Sequence, residues 1–85
     1  MDLKSYRAEQ GWTLEEAAGF AGFANESVWR RYETGERHPS PRNMATIERL
    51  TGGKVTASDM LATRRAWEKK RDADAATRRP GTVPA

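Results

Sequence analysis

The chain has 85 residues, of which 36% are hydrophobic and 32% charged, and it contains a single histidine and no cysteine. One core is the rule at this length, so a second folded domain does not fit, and thiolate nucleophiles, disulfide frameworks and zinc-thiolate sites are excluded, while His38 alone cannot build a histidine metal site. Mean hydropathy is −0.91, and the apolar runs near the start are far shorter than the about 20 residues of a spanning helix, so the expectation is a cytoplasmic chain with neither membrane segment nor signal peptide.

The first expected element covers Asp2 to Gln10, where Leu3 and Tyr6 at i, i+3 suggest a short amphipathic helix ended by Gly11. Thr13-Leu14-Glu15-Glu16 has the form of a capping box, which starts a second helix near Leu14. Ala17, Ala18 and Ala21 keep that helix thin enough for another to approach, and Gly22 supplies a tight turn. The third helix runs from Glu26 to Thr34. At roughly 100° per residue its Val28, Trp29 and Tyr32 share one apolar arc, opposite Glu26, Ser27, Arg30 and Thr34, with Arg31 on the flank.

Gly35 ends this helix, and Ser40-Pro41 provides an N-cap with proline at the first position of the fourth. Met44, Ile47 and Leu50 line its inner side, and Gly52-Gly53 stops it. Thr56-Ala57-Ser58-Asp59 opens a fifth helix that returns Met60 and Leu61 to the core and extends to about Arg79. The last six residues hold two prolines and a glycine and are expected to be disordered. The division is therefore 1–61 as the folded domain, 62–79 as a basic helix and 80–85 as a tail.

Charge divides along the same line. Residues up to Leu61 carry eight Lys and Arg against nine acids, whereas those from Ala62 onward carry seven against three. A basic excess raises affinity for polyanions, although a solvated charged helix has the same composition.

Five short helices with a tight turn between the second and third match a helix-turn-helix arrangement, whose second element lies in the DNA major groove. Thr13-Leu14-Glu15-Glu16-Ala17-Ala18, Gly22, Val28 and the run from Arg31-Tyr32-Glu33-Thr34-Gly35 through Glu36-Arg37-His38-Pro39-Ser40 resemble the phage repressor and Cro-like (XRE-type) helix-turn-helix family. The resemblance covers Leu3 to Leu61 and implies a compact lambda-repressor-like fold. Ile47 to Thr56 looks like the end of short Cro-like regulators from phages and bacterial operons. Such proteins are dimeric repressors of nearby promoters, and some act as antitoxins. The resemblance also implies a partly buried ion pair, Arg7 with Glu33, tying the first helix to the third.

Two departures stand out. Leu14 occupies the place where the family often has a glutamine that contacts phosphate or base. In the family the spacing from the turn glycine to the aromatic before the glutamate is one residue shorter. Either the turn here carries an extra residue and Trp29 points inward, or the third helix packs by Val28 and Tyr32.

The outward set Glu26, Ser27, Arg30 and Arg31 is the expected base-reading surface. An arginine fork pairs bidentately with guanine, a glutamate accepts from cytosine, and serine serves either base or phosphate. The competing reading is a solvated face in which the arginines pair with Glu26 or Glu33. Phosphate positioning falls to Thr13, to Asn25, which also suits an N-cap, and to Arg37, His38, Ser40 and Arg42 before the fourth helix. Trp12, Phe20, Phe23 and Trp29 are expected in the core rather than stacked on bases. Trp67 either folds back on the domain or meets its copy, and with Met60 and Leu61 it is a candidate dimer seam.

The function expected from all this is a DNA-binding transcriptional regulator, a small repressor acting as a homodimer on double-stranded inverted-repeat DNA and associated with the nucleoid. It needs no cofactor and is not an enzyme, since Glu15 and Glu16 point about 100° apart on a helix and cannot converge on one substrate. The alternative is an antitoxin-like module that binds a toxin-like partner protein through its C-terminal helix.

Overall fold

Local chemistry starts and stops each helix. The computed structural model describes residues 1–77, over which the chain is all-α: α1 Leu3–Gln10, α2 Leu14–Ala21, α3 Glu26–Thr34, α4 Pro41–Leu50 and α5 Ala57–Thr77, with no strand among the described residues. A helix leaves its first amides without intrahelical acceptors. Asp2, Thr13, Asn25 and Ser40 supply side-chain oxygens to the amides of Ser5, Glu16, Val28 and Asn43. Thr13 and Glu16 form the reciprocal box, at 3.1 and 2.9 Å, and Thr56 and Asp59 repeat the exchange at the start of α5. Gly22, at φ 76°, takes the left-handed turn between α2 and α3.

Packing centres on α3, which lies against α1, α2 and α5, while α2 also meets α4. The core gathers Leu3 and Tyr6 from α1, Ala17 and Ala18 from α2, Trp29 and Tyr32 from α3, Met44 and Ile47 from α4, and Val55 and Met60. Burying each large apolar side chain contributes about 1.5–3 kcal/mol, which makes this small cluster the main source of stability. Thr51, a buried polar residue, completes the α4–α5 turn. Its hydroxyl donates to the Ile47 carbonyl at 2.8 Å and accepts the Val55 amide at 3.2 Å.

Of the two arrangements open for α3, the structure has Trp29 inward. Trp29 is fully buried and Tyr32 nearly so, with Val28 half-buried at the core's edge. Four residues, Gly22 to Asn25, separate α2 from α3, which gives the helix room to present that face.

Several expectations change. Phe20 is 59% exposed and rests on the Trp12 ring, 4.8 Å between centroids, instead of entering the core. Leu61 is 41% exposed, whereas Met60 is buried in its own chain and so cannot serve a dimer seam. Neighbours on a helix diverge by about 100°, and with Met60 turned into the core Leu61 is directed away from it. The boundary placed at 61 and 62 falls inside the continuous α5. Residues 78–79 of the expected basic helix and the expected tail at 80–85 lie outside the described residues.

Candidate nucleic-acid interface

The arginines of α3 reach the surface because the opposite face is anchored. Glu33, on that inner side, accepts from Arg7 Nε, from Arg7 Nη2 at 3.2 Å and from Trp29 Nε1 at 2.6 Å. Arg7 Nη1 also donates to the Trp12 carbonyl at 3.0 Å. The carboxylate side chain is 5% exposed and the guanidinium 20%. Hydrogen bonding to Glu33 raises the Arg7 pKa above its already high ordinary value, so the guanidinium stays charged throughout the physiological range. The network sets the rotation of α3 about its own axis, and the ion pair implied by the family resemblance is present. Tyr32 adds a second anchor by accepting a 2.8 Å hydrogen bond from Asn43 Nδ2 of α4. Sequence reasoning had no means of finding that link.

With α3 so fixed, Glu26 and Arg30 are exposed one turn apart on its outer face, flanked by half-exposed Ser27 and Arg31. Arg31 Nε lies 3.7 Å from Glu36 Oε2, an exposed pair, and neither Glu26 nor Glu33 is its partner. Such a surface pair contributes little and leaves the guanidinium available to a stronger acceptor. Arg30 has no ion-pair partner among the described residues. A shallow recess beside this face, lined by Glu15, Ala18, Gly19, Phe23, Ala24, Asn25 and Glu26, follows the turn between α2 and α3.

The expected phosphate-contacting residues divide. Arg37, His38, Ser40 and Arg42 are all exposed on the connection from α3 to α4 or at its end. Ser40 Oγ accepts the Asn43 amide at 3.2 Å, which leaves its hydroxyl proton free to donate. Asn25 is committed as the α3 cap, with Oδ1 accepting the Val28 amide at 3.3 Å. Thr13 is the less suitable candidate. Its amide already donates to Glu16, and Glu15 and Glu16 place two carboxylates on the first turn of α2, so the helix N-terminus that attracts anions is served by the chain itself.

Two helices joined across a left-handed glycine, the second rotated to show arginines outward, are the geometry of a major-groove reader. The family of helix-turn-helix domains matches residues 2–53, more than half of the chain. The protein belongs to the helix-turn-helix family. Its matched segment holds α1 to α4, consistent with the XRE-type resemblance of the sequence. No curated protein and no solved structure matches the chain. In this helix-turn-helix domain, the described part of α5 lies wholly beyond the matched segment. No helix among the described residues is long and apolar enough to cross a membrane.

Trp67 on α5 folds back. It is half-buried against the end of α3, with the guanidinium carbons of Arg64 and Arg71 at 4.9 and 5.0 Å from its ring centroid.

Proposed function

We propose that this protein is a sequence-specific double-stranded DNA-binding regulator, a small repressor that acts by occluding a promoter. The observation that carries the reading is the rotation of α3: Trp29, Tyr32 and Glu33 are held inward, while Glu26, Ser27, Arg30 and Arg31 face out beside a cationic connection. Arg30 and Arg31 would read guanine bidentately and Glu26 would accept from cytosine. Arg37, His38, Ser40 and Arg42 would seat the domain on phosphate, with smaller contributions from the Thr13 hydroxyl and the Asn25 amide. The reaction is occupancy, with no catalytic step.

One domain of this size contacts few base pairs, so two copies on an inverted repeat are part of the proposal. With Met60 and Trp67 engaged in their own chain, Leu61 is the apolar residue of α5 left for a second copy, and sedimentation of Leu61→Glu against the parent protein tests it. A dimer unaffected by that charge places the seam elsewhere.

The deciding experiment selects duplexes from a random pool and titrates the preferred one across salt concentrations. Each phosphate neutralised adds about 0.9 to the slope of log K against log salt, so several contacts give a steep line. A flat line or an unenriched pool refutes the proposal.

A further inference from the structure

The carbonyl end of α3 is completed by a residue outside the family-matched segment. Every helix leaves its last carbonyls without intrahelical donors. Here the Arg31 carbonyl accepts the amides of Gly35 and Arg37, at 3.1 and 3.2 Å. The carbonyls of the C-cap Gly35 and of Glu36, just past the helix, both accept from Arg64 Nη1 of α5, the first at 3.0 Å. The guanidinium is held on its other sides as well, with Nη2 3.4 Å from Glu68 Oε2 and Cζ over the Trp67 ring. Its side chain is 26% exposed.

Gly35 is where α5 makes this approach. A Cβ there would lie 2.4 Å from the Thr63 carbonyl oxygen and 2.9 Å from Trp67 Cβ, closer than such atoms approach, and the residue sits at φ 87°. Two independent requirements, the left-handed conformation and the contact with α5, therefore meet at one position. A cation at the C-terminus of α3 also complements the negative end of the helix dipole.

We propose that Arg64 is the positioning residue for the segment from Arg37 to Ser40, holding it in the shape that meets DNA phosphate; this rests on the DNA-binding reading above. The segment begins one residue after the Glu36 carbonyl that Arg64 grips, and it bears three of the proposed phosphate contacts, Arg37, His38 and Ser40. A segment ordered before binding loses less conformational freedom on binding, so its contacts deliver more affinity. Arg64 acts through the segment rather than on DNA directly, because its Nη1 donors are already engaged. The DNA-binding unit thus extends through the first half of α5, past residue 53 where the family match ends.

The test uses the full chain with Arg64→Ala and Arg64→Lys. In the free protein, amide hydrogen exchange at Glu36 and Arg37 should rise at least about tenfold in Arg64→Ala relative to the Ile47 amide in the core, the order expected from loss of charge-assisted bonds. Affinity for the selected duplex should fall about tenfold. Arg64→Lys, which keeps a donor and the charge, should recover part of both. In an Arg37→Ala/His38→Ala background the further effect of Arg64→Ala should shrink to less than about threefold, since two of the three side chains being positioned are gone and Ser40 alone remains. Unchanged exchange at Glu36 and Arg37, or an equal loss of affinity in both backgrounds, overturns the proposal. If the parent protein binds no duplex at all, the DNA reading fails by itself, while the exchange comparison still decides whether Arg64 holds the segment.

Discussion

Replacing Glu33 by glutamine tests the claim that one carboxylate fixes the rotation of α3. The carboxylate accepts from two nitrogens of Arg7 and from the Trp29 indole. Glutamine keeps the shape but offers one acceptor oxygen and turns an NH2 toward the remaining donors, so at least one donor faces a donor. A hydrogen bond to a charged group contributes about 1.5–3 kcal/mol, and stranding a fully buried partner costs about 3–5 kcal/mol. Arg7 is 20% exposed and keeps its bond to the Trp12 carbonyl, so water and that bond relieve part of the cost. The expected loss is about 2–3 kcal/mol, against a total of roughly 4–13 kcal/mol for a chain of this length. Thermal midpoints should fall by about 8–24 °C, given about 4–8 °C per kcal/mol at this size. Urea titrations of the parent, Glu33→Gln, Arg7→Met and the double variant, followed by circular dichroism, measure it. The double variant should cost at least about 1 kcal/mol less than the sum of the singles, because removing both partners leaves no stranded charge. A single-variant loss below about 0.5 kcal/mol, or strict additivity, refutes the network as the anchor of α3.

Further outcomes separate reading from holding. On the selected duplex Arg30→Ala or Arg31→Ala should cost about 1–3 kcal/mol and far less on random DNA, whereas Arg42→Ala should weaken both alike; equal losses for all three on both DNAs would show that α3 is not the reading element. Gly35→Ala should destabilise the fold by more than the about 1–2 kcal/mol that the left-handed conformation alone costs an alanine, since its Cβ also meets the Thr63 carbonyl, and a loss under about 1 kcal/mol in urea titration would contradict the close approach. Asp59 is held below its ordinary pKa of 3.8, chiefly by the Thr56 amide it accepts, and Asp2 below the same value, chiefly by its hydrogen bond with Ser5. A carboxyl depressed in the folded state contributes stability that is complete above the unfolded value and lost as pH falls through the folded one. Stability should therefore decline below about pH 4, and Asp59→Asn should flatten that decline; an unaltered pH profile would count against the Thr56–Asp59 exchange.

What the sequence by itself determined lies in rules that act over one helical turn. Thr13 with Glu16, Asn25, Ser40-Pro41, Thr56 with Asp59, and the stopping glycines at 11, 22 and 35 mark the helix limits, because capping joins residues two or three positions apart. The apolar spacing of Met44, Ile47 and Leu50 likewise identifies the inner face of α4. The outward arginines of α3 were legible as a face, but its rotation was not, since both Trp29 and Val28 fit the wheel. Tertiary contact chose Trp29, whose indole needs an acceptor and finds it on Glu33, itself held by Arg7 twenty-six positions away. Phe20 and Leu61 were misread for a related reason: apolar character states a preference for burial, and a core this small is already filled by Trp29, Leu3, Ile47, Met60 and Val55. The grip of Arg64 on Gly35 and Glu36 spans nearly thirty positions and joins a side chain to backbone carbonyls, a group every residue carries, so no pattern of residue types records it. Only the fold brings that guanidinium to the end of α3, and the position of α5 is decided there.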